Sequence, residues 1–167
     1  MAHTRVYLVG FMGAGKSTVG RRLAKKLGWK FIDLDEEIER REGRLIADIF
    51  KQEGESHFRD LERSCLKDLS AARKTVIALG GGAFIDPSSQ QLAESSGLTV
   101  WLKVSFAKIA DRVKIDGSRP NFMDREKAER LYQTREAHYA RAKLHLSTDE
   151  ASPDSIADQI IGVLRKS

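Results

Sequence analysis

The chain has 167 residues, 41% hydrophobic and 32% charged, which suits one folded domain with its own core and excludes a disordered chain. Its 29 Lys and Arg against 24 Asp and Glu leave a net charge of +5, which suits small anionic ligands. Acidic residues are interleaved with the basic ones, which excludes the basic stripe of a nucleic-acid binder, and the single cysteine excludes an internal disulfide or a cysteine-rich metal site.

Short β-branched or aromatic runs alternate with longer helical periods, the pattern of an α/β fold with a mainly parallel sheet. Arg5–Val9 reads as the first strand. A helix is expected over Lys16–Leu27, with Val19, Leu23 and Leu27 on one face and Gly28 placed to end it. Arg22, Lys25 and Lys26 suit the negative end of its dipole. Lys30–Asp33 reads as a second strand, and Asp35 as the N-cap of the next helix, with Glu36 and Glu37 in its first turn.

Two further helices are expected over 45–52 and 56–71, then a strand over 75–79 that runs into Gly80, Gly81 and Gly82. Pro87 opens a short helix and Leu98–Lys103 is the fourth strand. A helix over 105–114, a loop over 115–123 and a helix over 124–142 follow. Leu144–Ser147 is a last strand and Pro153–Lys166 the closing helix.

No linker composition interrupts this series, so a single domain over 1–167 is expected. The start of the chain lacks a basic segment followed by an apolar run, and no run reaches membrane-spanning length. A cytoplasmic protein is the expectation. Cys65 falls in the apolar series Leu61, Cys65, Leu69 and reads as a core thiol; His3, His57, His138 and His145 lack metal-ligand spacing.

The segment from Gly10 to Ser17, GFMGAGKS, fits the phosphate-binding pattern G-x-x-x-x-G-K-[ST] between a strand and a helix. Glycine tolerates positive φ and lets backbone N–H groups close on a phosphate. Gly13, Ala14, Gly15, Lys16, Ser17 and Thr18 are the expected ATP contacts, with Lys16 on the β- and γ-phosphates and Ser17 on Mg²⁺.

Four other features carry two readings each. Asp33 and Asp35, if extended, share a face, so Asp33 can serve the metal and Asp35 an acceptor hydroxyl; otherwise Asp33 is a polar strand end and Asp35 a plain helix cap. Gly80, Gly81 and Gly82 follow a strand where open sheets place ligands, and give either close approach to a substrate or a turn with left-handed angles. Arg59, near a helix start where a cation fits poorly, either binds a carboxylate or pairs with Glu55 or Glu62. Arg119, before Pro120, either closes over a triphosphate or is an isolated loop arginine, while Arg112 and Arg135 fall on predicted helices.

Together these residues resemble the shikimate kinase family. The likeness runs through GFMGAGKSTVGR from Gly10 to Arg21, then Phe31-Ile32-Asp33-Leu34-Asp35 with Ile38-Glu39. It continues through Ile49-Phe50, Gly54-Glu55, Phe58-Arg59 with Glu62, and Leu79-Gly80-Gly81-Gly82. The resemblance implies a three-layer P-loop kinase fold, with a five-stranded parallel sheet in the order 2-3-1-4-5 and a lid at about 112–124.

The activity it implies is transfer of the γ-phosphate of MgATP to the 3-hydroxyl of shikimate, in the route to aromatic amino acids, by a monomer. Carried over, Asp35 holds the shikimate hydroxyls with Gly80, Gly81 and Gly82, and Arg59 and Arg135 bind its carboxylate. Lys16, Ser17 and Asp33 serve phosphate and metal, Arg112 lies against adenine and Arg119 is the lid arginine. The chain departs from the family at Asn121-Phe122-Met123, where leucines are usual. It departs again at Arg135-Glu136-Ala137-His138-Tyr139, where R-x-P-L-Y is usual and only the tyrosine keeps its place. A gluconate kinase would share the P-loop without the glycine triplet or the Phe58-Arg59 element. A non-catalytic ATP-binding scaffold would be marked by loss of Lys16, Asp35 or Arg59, all present here.

Overall fold

The computed structural model describes residues 3–113 and 124–167. Its strands are β1 (Arg5–Val9), β2 (Lys30–Asp33), β3 (Thr75–Ala78), β4 (Leu98–Lys103) and β5 (Leu144–Ser147). They form one five-stranded sheet in the order β2-β3-β1-β4-β5, every pair parallel, as the resemblance implies. Parallel strands need crossover helices, so both faces of the sheet are covered and its central strands are apolar throughout. In β1, Val6 to Val9 are all buried.

The two-residue period of a strand then divides the core. Val6, Leu8, Val76, Val100 and Leu102 face one layer, closed by α1 (Lys16–Leu27) and α7 (Pro153–Lys166). Tyr7, Val9, Ile77, Leu79 and Trp101 face the other. That layer holds α2 (Leu34–Glu42), α3 (Ile46–Leu69), α4 (Pro87–Ser96), α5 (Phe106–Val113) and α6 (Arg125–Tyr139). Residues such as Leu23 and Leu66, fully withdrawn from solvent, contribute roughly 1.5–3 kcal/mol each. Helix α1 ends as its sequence requires, at Gly28 in the left-handed region with φ 68°.

The cap of α2 differs from the expectation. Asp33, not Asp35, caps α2: its carboxylate accepts from the Glu36 N–H at 3.2 Å, and Asp35 lies in the first helical turn. The helices expected over 45–52 and 56–71 are the two halves of α3, which breaks at Gly54 with φ 85° and ψ 171°, a non-helical conformation that favours glycine. A single 3-10 turn, Ala83–Ile85, follows the glycine triplet. Because every strand is parallel, all five carboxyl ends lie on one edge of the sheet, where β1 hands the chain to α1.

Candidate active site

The loop after β1 is shaped by its glycines. Gly13 and Gly15 have φ of 80° and 87°, and a Cβ on Gly10 would lie 2.9 Å from the Leu102 carbonyl oxygen. The Ala14 N–H donates to the Phe11 carbonyl at 3.1 Å and closes the loop on itself. Helix α1 then starts with no side-chain cap and no acidic residue in its first turn. By contrast α2, α4, α6 and α7 are capped by Asp33, Asp86, Asp124 and Ser152. An uncapped N-terminus leaves N–H donors and the positive end of the dipole facing outward, which is an anion site.

Lys16 folds back over this loop, its Nζ donating to the Gly10 carbonyl at 2.5 Å and the Phe11 carbonyl at 3.3 Å. Ser17 Oγ donates to Asp33 Oδ2 at 2.8 Å. Asp33 thus uses one oxygen to cap α2 and the other to hold the hydroxyl at the start of α1. No group of three or more His, Cys, Asp or Glu residues that could cage a metal occurs among the described residues. Two adjacent hard oxygen groups beside a phosphate loop fit Mg²⁺, which takes few protein ligands and completes its shell with phosphate and water.

A cavity of about 440 Å³ opens over the loop, within the range of small-molecule sites. Residues Gly13 to Thr18, Asp33, Asp35, Gly80 and Gly81 line one part of it, and Thr148, Ala151, Pro153 and Ile156 another. Both aspartates therefore meet the cavity, though not as neighbours on an extended strand. The turn of helix beginning at Leu34 brings Asp35 there. Burial raises the Asp35 carboxyl above its ordinary value of 3.8; Asp33 and Glu39 add to the rise, while Lys16 and Arg59 oppose it.

The glycine triplet gathers three charged side chains. A Cβ on Gly80 would lie 2.7 Å from Asp35 Oδ1, one on Gly81 2.9 Å from Arg135 Nη1, and one on Gly82 2.5 Å from Arg59 Nη2. None of the three glycines is among those with positive φ, so the reading as a left-handed turn fails. What the triplet supplies is room. Each missing side chain leaves space for one ionic group, and any larger residue would displace it.

Arg59 is paired as well as placed against Gly82. Its Nη1 meets Glu62 Oε1 at 2.8 Å and its Nη2 meets Glu55 Oε1 at 3.5 Å. Glu62 is 1% exposed; burial raises its carboxyl above the ordinary range and Arg59 opposes that shift. Arg135 comes from α6, with its guanidinium 5.8 Å from the centre of the Phe11 ring. Its buried Nε has no hydrogen-bond partner among the described residues. Arg59 and Arg135 adjoin Gly82 and Gly81 and do not line the cavity itself.

Arg119 and the side chain of Arg112 lie outside the described residues. The wall formed by Thr148, Ala151, Pro153 and Ile156 has no motif of its own; its one sequence signal is position, directly after the carboxyl end of β5.

A cleft that offers backbone donors to phosphate and a half-buried carboxylate, with two arginines packed against the neighbouring glycines, defines a P-loop kinase of small molecules. Comparison with known proteins narrows the class. The family model for shikimate kinase matches residues 12–165. The shikimate kinase of Persephonella marina is 40% identical over 161 residues, covering 96% of this chain and 98% of its own. The structure of shikimate kinase from Acinetobacter baumannii in complex with shikimate superposes with a TM-score of 0.91 at 34% identity, covering 99% of this chain and 94% of that one. That of shikimate kinase from Aquifex aeolicus gives 0.87 at 36% identity, covering 96% of each chain. The chain belongs to the shikimate kinase family, whose members are ATP-dependent kinases.

Proposed function

We propose that this chain transfers the γ-phosphate of MgATP to the 3-hydroxyl of shikimate. One observation carries the reading: a single sheet edge holds the open phosphate loop and, beside it, a glycine triplet packed against Asp35, Arg59 and Arg135. The triphosphate lies along Gly13 to Thr18, with Lys16 leaving its backbone carbonyls for the β- and γ-phosphates. Ser17 and Asp33 hold Mg²⁺, which when bound offsets charge on the phosphates. Arg59 and Arg135 pair with the acceptor carboxylate, and Gly80, Gly81 and Gly82 let it approach the backbone.

Asp35 faces the acceptor hydroxyl, orienting it and taking up its proton as the phosphoryl group arrives. A carboxyl raised by burial is better matched to that task at neutral pH than an exposed one. Phosphoryl transfer has a loose transition state, so positioning and charge stabilisation supply most of the catalysis. Arg112 against the base and Arg119 over the transferring phosphate complete the assignment, on the strength of the family resemblance. The wall from Thr148 to Ile156 is the remaining surface for the nucleotide.

The exposed large apolar side chains among the described residues are Leu45 and Phe50, and so small an apolar exposure supports a monomer. No helix among the described residues is long and apolar enough to cross a membrane. A reducing cytoplasmic setting fits the lone buried thiol, Cys65. The deciding experiment is coupled ADP release with shikimate, with gluconate and with no acceptor. Turnover with shikimate alone is expected; equal release in all three would overturn the acceptor assignment.

A further inference from the structure

Helix α6 is mostly polar, and its buried residues are Ala128 and Tyr139. A helix with so little apolar surface is placed by a few specific contacts, and two of these come from tyrosine hydroxyls. Tyr132 donates to the Val104 carbonyl at 2.6 Å, and Tyr139, at the last turn, donates to the Gly81 carbonyl. Tyr139 is 1% exposed, with its ring centre 6.2 Å from that of Trp101. Burial pushes its phenol up to about 12, so it keeps its proton at neutral pH.

Tyr139 and Arg135 stand four residues apart on one face of α6. Both meet Gly81: a Cβ there would lie 2.9 Å from Arg135 Nη1 and 3.7 Å from the Tyr139 hydroxyl. The bond therefore sets how Arg135 sits over the triplet. It also sets a peptide plane. The peptides are trans, so the Gly81 carbonyl and the Gly82 N–H point opposite ways, and holding the first toward α6 turns the second away from it.

We propose that Tyr139 is a positioning residue for the acceptor: its hydroxyl bond to Gly81 holds Arg135 in register with the triplet and aims the Gly82 N–H. This rests on the reading of Gly81, Gly82 and Arg135 as acceptor-site groups. Tyr139 touches neither substrate nor phosphate. It acts through the two groups it fixes.

The test compares Tyr139→Phe, Tyr132→Phe and Arg135→Ala in steady-state kinetics, with urea unfolding of each preparation. Both phenylalanine variants keep the ring and lose one hydroxyl-to-carbonyl bond from the same helix, and Tyr139→Phe also loses the hydroxyl's interaction with the Arg135 side chain. Tyr139→Phe should raise the shikimate KM about ten-fold, on the scale of one buried hydrogen bond left unmade. Its ATP KM should stay within about two-fold, and Tyr132→Phe should leave the shikimate KM within about two-fold. Equal rises in shikimate KM for the two phenylalanine variants would reduce Tyr139 to a helix anchor and overturn the proposal. So would an unchanged KM in Tyr139→Phe while Arg135→Ala loses shikimate binding; the acceptor site would then survive. An unchanged KM in Arg135→Ala would overturn the acceptor assignment of that arginine and the proposal with it.

Discussion

The phosphate loop and the proposed acceptor end of the site are built in opposite ways. The loop from Gly10 to Ser17 is one uninterrupted stretch, and its glycines serve by conformation, with φ of 152°, 80° and 87° at Gly10, Gly13 and Gly15. The acceptor end draws Asp35 from α2, Arg59 from α3 and Arg135 from α6, and its glycines serve by absence of a side chain. A phosphate is recognised by convergent backbone N–H groups, which a single loop can present. A small acid bearing hydroxyls must be met by side chains from several directions, which no contiguous segment supplies. Asp33 joins the two ends, since one carboxylate holds Ser17 and caps the helix that carries Asp35.

The largest expected effect breaks the phosphate end alone. Lys16→Ala removes a charge meeting the phosphates in the transition state and should lower kcat by about 10³-fold, the upper scale for one preorganised donor. Shikimate binding by calorimetry should change little. A variant that keeps more than a tenth of wild-type kcat would remove the P-loop from the mechanism.

Next in size is Asp35→Asn, which breaks the acceptor end. Because Asp33 is the cap, the substitution leaves the N-cap hydrogen bond of α2 in place. We expect kcat to fall by about 10²-fold, the lower scale for general-base catalysis. Stability should move the other way. The Asp35 carboxyl is raised above 3.8 by burial, so its ionisation costs folding free energy. That cost is absent below the unfolded pKa and grows as pH rises through the folded value. In urea unfolding the variant should therefore gain on wild type between about pH 4 and neutrality. A pH-independent difference would show that the carboxylate is not strained by burial.

The smallest effect sharpens the acceptor end. Arg59→Lys keeps a cation beside Glu62 but loses the planar fork. Shikimate affinity should weaken about ten-fold, corresponding to loss of one charge-assisted hydrogen bond, with ATP affinity held. Unchanged shikimate titration would leave Arg59 as a partner of Glu55 and Glu62 only.

Legibility followed the same division. The bounds of β1, α1, β2, β4, β5 and α7 agree with the periodicity and turn residues of their own segments, because each depends on nearby sequence. The cap of α2 does not. Asp33 and Asp35 are equally good caps by residue type. The β2–β3 ladder pairs Asp33 with Ala78 and holds it extended, and the helix starts at the next residue, Leu34, two before the start an Asp35 cap would give. The break at Gly54 was legible, falling between the two expected helices, and it lets both halves of α3 close over the core at Ile49 and Phe58.

By itself the sequence determined the phosphate-loop motif, the alternation of strands and helices, and the residue types of the proposed acceptor site. Those rest on local backbone preference and on patterns within a few residues of one another. Only the tertiary structure decided that Gly80, Gly81 and Gly82 each face a different ionic partner, and that Tyr139 fastens α6 to their turn. Such contacts join residues far apart in the chain, and their geometry is set by how helices settle on a sheet. A wall such as Thr148 to Ile156 becomes visible only once every strand has delivered its carboxyl end to the same edge.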